Sequence, residues 1–304
     1  MQPFSDRLIE AVRNKGNPCV VGLDPRIELM PDFMRSGHNA PTREMIRSVI
    51  GDFHELVLDA VADLVPAVKP QLAFFEQYGS AGIEAFENTV KAAKERGLLV
   101  IADGKRNDIA STAEAYVNAF LGTRAFDADS MTVTPYLGKD SLLPFVNGSA
   151  QHGKGIFVVL KTSNAGSGDF QDQLLQSTGR PLYESVAAMV HELGKQTVGQ
   201  YGYSSIGAVI GATYPEEGRR LRALMPQAFI LVPGYGAQGG SAQSAAACFH
   251  DDGQGAIVSS SRGITYKYAS PDISREAFAR TVRENTQKMI YDITSALKPS
   301  HATL

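Results

Sequence analysis

Eight short apolar runs, each followed by a stretch of helical periodicity, restrict this chain more than any other feature of its sequence. They read CVVGL from residue 19, LVPAVK from 64, LLVIAD from 98, ADSMTVT from 128, GIFVVLK from 155, SIGAVIG from 205, AFILVP from 228 and GAIVSS from 255. The runs are nearly continuous in apolarity, which is how strands covered on both faces of a parallel sheet read. Between them, Phe53, Leu56, Val57, Ala60, Val61 and Leu64 recur at a period of about 3.6, as do Ile83, Phe86 and Val90, and Tyr183, Val186, Ala187, Val190 and Leu193. Thr213 and Glu216, with Pro215 between them, match a capping box opening the helix after the sixth strand.

Eight such alternations in 304 residues predict an α/β fold, a closed (β/α)₈ TIM barrel in preference to an open doubly wound sheet. No proline-rich or serine-rich linker divides the chain, so residues 1–304 read as a single barrel domain. Two connections are long, 25–42 after the first strand and 163–181 after the fifth, and long loops in compact domains are lids or insertions. The final LKPSHATL reads as a frayed tail.

Charge and cysteine content exclude several classes of function. The formal net charge is −3 and the basic residues are scattered, so there is no nucleic-acid footprint, and an anionic ligand needs a local site. Cys19 and Cys248 sit in apolar surroundings, as core thiols in a reducing cytoplasm would. The N-terminus mixes charges with Phe4, Leu8, Ile9 and Val12 at helical spacing, unlike a signal peptide. No run approaches the roughly 20 apolar residues of a membrane span. A soluble cytoplasmic protein is expected.

In a barrel of this kind catalytic groups stand where strands end. Those positions hold Asp24, then Lys69 and Gln71, then Asp103 and Lys105, then Lys161, Thr162 and Ser163. The last two strands lead into PGYGAQGG and SSSRG, the places where barrels of this type frequently bind phosphate. Arg262 there has the planar fork suited to a phosphate. Asp103 and Lys105, two apart, share a strand face. The plainer readings are an ion pair for Asp103 and Lys105, a snorkelling Lys69, an Asx turn at Asp24 and a solvated Arg262.

DGKRNDI at 103–109 resembles the D-x-K-x-x-D-I signature of the orotidine 5′-phosphate decarboxylase family. The likeness continues in GLDP at 22, VKPQ at 68, KTSN at 161, PGYGAQGG at 233 and SSSRGI at 259, and the length is similar to that of the longer bacterial subgroup. The resemblance implies decarboxylation of orotidine 5′-monophosphate to uridine 5′-monophosphate and CO₂ in de novo pyrimidine biosynthesis, with neither cofactor nor metal. It implies a catalytic array of Lys69, Asp103, Lys105 and Asp108, with Lys105 protonating a carbanion at C6. Asp108, Ile109 and Thr112 would cross into the neighbouring site of a homodimer with shared active sites. Asp24, Lys69, Asp108 and Thr112 would hold ribose hydroxyls, and Ser163 or Thr162 the pyrimidine. Gln238 would bridge base and phosphate, with Arg262 and backbone N–H groups around Gly240 and Gly263 on the phosphate.

Two other readings stand beside it. Metal-assisted phosphosugar decarboxylases or aldolases of the same superfamily tend to carry an acidic residue at the end of the second strand, where this chain has Lys69, which would repel Mg²⁺. A non-catalytic phosphate-ligand sensor has little reason to keep two charge pairs.

Overall fold

The structure is a computed structural model and describes residues 1–35, 42–236 and 239–298. Its eight strands are β1 (Cys19–Leu23), β2 (Ala67–Pro70), β3 (Leu99–Arg106), β4 (Ser130–Val133), β5 (Gly155–Lys161), β6 (Ser204–Ile210), β7 (Ala228–Val232) and β8 (Ala256–Ser260). They close in sequence order, and β8 pairs in parallel with β1 through Cys19 opposite Val258. That last pairing is what separates a TIM barrel from an open sheet.

Most strands are apolar on both faces because each face meets its own core. Val20, Ala67, Leu99, Ile101, Phe157, Phe229, Leu231 and Ile257 fill the barrel interior. Their alternate neighbours, such as Val21, Val68, Val100, Ile156, Val158, Ile230 and Val258, pack under the helices. The helix Arg43–Val61 buries Phe53, Leu56, Val57, Ala60 and Val61, the stripe its spacing predicts, and Thr42 caps it through a 3.2 Å bond from the Met45 N–H.

The N-terminal helix Phe4–Lys15 closes one mouth of the barrel. Phe4, Leu8 and Ile9 join the interior cluster, with the Phe4 ring edge-on to Phe157 at 6.0 Å. Burying such side chains contributes roughly 1.5–3 kcal/mol each. Arg7 ties the helix to Asp129 at 2.5 Å and to the Gly153 carbonyl at 3.0 Å, both just ahead of strands. The carboxyl mouth is thereby left as the open one.

The expected capping box after β6 does not form. Thr213 lies one residue too early: Tyr214 is the N-cap of the helix Pro215–Leu224, no side chain caps it, and Glu216 pairs with Arg219. Pro215 does occupy the first turn. In the 25–42 connection the chain forms a 3₁₀ turn at Ile27–Leu29 and a short helix at Asp32–Arg35, while residues 36–41 lie outside the described residues. The 163–181 connection folds into a 3₁₀ turn at Ala165–Asp169 and an antiparallel bridge between Leu174 and Pro181. The helix Arg275–Leu297 takes in the start of LKPSHATL, and residues 299–304 lie outside the described residues. Cys19 and Cys248 are buried free thiols, and burial pushes Cys248 up to about 12. Among the described residues no helix is long and apolar enough to cross a membrane.

Candidate active site

Register places the first charges. Ala67 on β2 stands opposite Leu99 on β3, so Lys69, two residues on, and Asp103, four residues on, fall on the same inner face toward the carboxyl mouth. Lys69 Nζ lies 2.6 Å from Asp103 Oδ2, and both residues are 6% exposed. Gln71, bridged to Asp103 along the backbone, donates to the same Oδ2 at 3.0 Å.

The other carboxylate oxygen faces the next strand. Lys105 Nζ reaches Asp103 Oδ1 at 2.8 Å, and Thr132 Oγ1 donates to that oxygen at 2.9 Å. Four donors therefore converge on one carboxylate. Lys105 is left-handed at φ 47°, a conformation costing about 1–2 kcal/mol outside glycine. Its side chain is 44% exposed while that of Lys69 is 7% exposed, so one ammonium is sealed in and the other is presented.

Electrostatics follow from this geometry. Burial alone would raise the Asp103 pKa, but the charges and hydrogen bonds of Lys69 and Lys105 hold it well below the usual carboxylate range. Burial opposes the charge on Lys69, yet Asp103 and Asp24 outweigh it and raise its pKa. At Asp24 burial wins: its carboxyl is pushed above the ordinary value, against the pull of Lys69 and a hydrogen bond from Ser261. Asp24 Oδ1 is buried and has no hydrogen-bond partner among the described residues. Such an oxygen calls for a donor from a ligand.

These groups line a cavity of about 640 Å³ at the carboxyl mouth, a volume suited to a small-molecule ligand. Arg26, Lys69, Lys105 and Arg262 face it against Asp24 and Asp103, a cationic excess in a chain of net charge −3. The wall depends on Gly22, where a Cβ would stand 1.9 Å from Ser261 Oγ. Any larger residue would push the loop after β8 off the site.

Thr162 and Ser163 both line the cavity, but they differ in how they are held. Gln171, nine residues on, accepts from the Thr162 N–H at 2.9 Å and donates to its hydroxyl at 2.8 Å; that hydroxyl donates to Asn164 at 2.6 Å. The Thr162 hydroxyl is thus committed within the loop. Lys161 stays out of the cavity, fully buried with Asp172 at 2.5 Å and the Tyr214 ring at 4.6 Å, which anchors the 163–181 loop to the barrel.

Around the phosphate position the picture is mixed. Arg262 lines the cavity and opens the short helix Arg262–Thr265, with Gly263 behind it off the cavity wall. Gly240 is buried, and its N–H is given to the Gly234 carbonyl at 3.1 Å. Gln238 lies outside the described residues.

Asp108, Ile109 and Thr112 do not line their own chain's cavity. Asp108 Oδ1 accepts the Ile109 N–H at 2.8 Å, Ile109 is 54% exposed, and Thr112 is exposed. Among residues that sequence reasoning passed over, Thr132 and Gln171 look like ordinary strand and loop residues, and only tertiary pairing reveals them. Arg26 had a weak signal, two positions after Asp24 in GLDPR.

Fold and site together define a (β/α)₈-barrel enzyme whose carboxyl mouth holds a lysine–aspartate–lysine centre beside a cationic cavity for a small anion. The model of the orotidine 5′-phosphate decarboxylase / HUMPS family matches residues 20–276, and the chain belongs to that family. It is 45% identical over 279 residues to the orotidine 5′-phosphate decarboxylase of Rhodopirellula baltica, covering 90% of this chain and 92% of that one. With that of Caldicellulosiruptor saccharolyticus it shares 42% identity over 279 residues, covering 88% and 91%. The solved OMP decarboxylase of Leishmania donovani matches with a TM-score of 0.72 at 30% identity, covering 97% of this chain and 99% of that one. The activity is decarboxylation of orotidine 5′-monophosphate to uridine 5′-monophosphate, a carbon–carbon lyase step of pyrimidine biosynthesis.

Proposed function

We propose that Lys105 is the group that makes this decarboxylation possible, acting first as a fixed positive charge and then as the proton donor. The carrying observation is the pose of Lys105, held 2.8 Å from Asp103 yet open to the cavity, while Lys69 neutralises Asp103 from the buried side. The C6–carboxylate bond breaks with its electron pair left on C6, and CO₂ departs. An N–H of Lys105 gives its proton to C6, and water returns a proton to the amine. An ammonium beside that carbon stabilises the developing carbanion more than the bound substrate, which is what lowers the barrier. Asp103 faces the departing carboxylate, and their repulsion is relieved as CO₂ leaves.

The remaining roles follow the chemistry of the cavity. A substrate with a carboxylate and a phosphate suits its four cations. Asp24, with its unpartnered oxygen, accepts a ribose hydroxyl, and Lys69 assists. Ser163 or Thr162, which both line the cavity, takes the pyrimidine. Arg262 grips the phosphate, with Gln238 and the backbone near Gly240 and Gly263 closing over it. Asp108, Ile109 and Thr112 complete the site of a second copy in a homodimer, as their outward position and the exposure of Ile109, Tyr136 and Leu137 on adjoining loops support. Two buried free thiols suit a reducing cytoplasm.

The direct test incubates the protein with orotidine 5′-monophosphate and EDTA and follows loss of the orotate absorbance. Undiminished turnover is expected, and loss of activity under EDTA would favour metal-assisted chemistry instead.

A further inference from the structure

We propose that Thr132 is a positioning residue for Lys105; the proposal rests on the reading of Lys105 as proton donor. The argument starts from the β3–β4 ladder. Ala102 pairs with Met131 and Arg106 with Val133, so Asp103, Gly104 and Lys105 all stand opposite the single residue Thr132. Three residues against one break the regular pairing and leave backbone groups of β3 to be satisfied by other means.

Thr132 supplies that satisfaction with its side chain. Its Oγ1 accepts the Lys105 backbone N–H at 2.9 Å and donates to Asp103 Oδ1 at 2.9 Å. One hydroxyl therefore fixes both ends of the catalytic pair, the main chain of the lysine and the carboxylate of the aspartate. Thr132 is 1% exposed, so water is a poor substitute for the lost bonds. Its only hydroxyl hydrogen is committed to Asp103, which assigns it an indirect part in the reaction.

The left-handed backbone of Lys105 makes the dependence specific. That conformation, at φ 47°, turns the chain so that Lys105 meets Asp103 while Arg106 rejoins β4. It persists only where its surroundings over-determine it. Without the Thr132 hydroxyl, the Lys105 N–H is left without its acceptor and Asp103 Oδ1 loses a donor. The ammonium then samples poses away from C6, which costs the chemical step more than it costs binding.

The experiment compares Thr132→Val, which keeps the shape and removes the hydroxyl, with Thr132→Ser, which keeps the hydroxyl. Steady-state kinetics with orotidine 5′-monophosphate, affinity for uridine 5′-monophosphate and Tm are measured for both. Thr132→Val is expected to lower kcat about 10- to 100-fold with product affinity preserved, and Thr132→Ser to recover most of it. A Thr132→Val enzyme with the parent's kcat overturns the proposal. So does a parallel loss of kcat and product affinity, or a Thr132→Ser variant as slow as Thr132→Val. Lys105→Ala in the same assay keeps the two readings apart: if that variant turns over normally, the fault lies with Lys105 and not with Thr132.

Discussion

Lys105 and Asp103, two residues apart on one strand, meet at 2.8 Å across a bulge that leaves the lysine exposed and the aspartate sealed. The asymmetry matters because Asp103 also neutralises the buried Lys69. Truncating Asp103 would strand that ammonium in a water-poor site, and removing one partner of such a pair costs about 3–5 kcal/mol. The centre is therefore a structural commitment as well as the proposed catalytic device.

Asp24 stands in the opposite balance, held above its ordinary pKa of 3.8 chiefly by burial. A carboxyl whose folded pKa is raised favours folding below its unfolded pKa, and that benefit is lost as pH rises through the folded value. At pH 7 the ionised group is a liability. Asp24→Asn should raise Tm at pH 7, by about 2 °C for each kcal/mol regained, with the gain fading as pH falls through the raised folded value and gone below 3.8. The same variant should bind uridine 5′-monophosphate more weakly. Thermal melts across pH together with product titrations check both halves.

Arg262 is exposed and lines the cavity. Removing a charged, forked donor from a phosphate should lower kcat/KM by about 100-fold or more. Because the residue is exposed, Arg262→Ala should leave Tm unchanged. Kinetics and a melt on the same preparation separate loss of grip from loss of fold.

Asp108 does not line the cavity of its own chain, so the proposed shared sites make a distinctive forecast. Lys105→Ala and Asp108→Ala, each inactive alone, should regain activity on mixing and subunit exchange. Random pairing gives one intact site in half the dimers, a return to about a quarter of the parent activity. Mixtures that stay inactive after verified exchange would place Asp108 elsewhere.

The barrel was legible because of how it is buried. Strands such as GIFVVLK and AFILVP are apolar on both faces, so their runs stand out without an alignment, and all eight overlap observed strands. The charges at strand ends were legible for a related reason, since Lys69 and Asp103 stand out against the apolar runs they end. What stayed hidden was tertiary. A threonine in ADSMTVT looks like any strand former, and only the β3 bulge gives Thr132 its two bonds. Adjacency alone could not choose between Thr162 and Ser163, and the bonds that Gln171 makes to Thr162 come back from a loop that local pattern does not reveal. The capping motif at Thr213 failed by one position, a shift that local pattern does not resolve. The proposed destination of Asp108 involves a second chain, which one sequence does not describe.

The most direct measurement is single-turnover decarboxylation of orotidine 5′-monophosphate by Lys105→Ala, paired with its affinity for uridine 5′-monophosphate. If Lys105 stabilises the carbanion and protonates it, turnover falls by about 10⁴-fold or more while product still binds. Turnover within about tenfold of the parent would contradict that role, since a general acid alone is worth more than this.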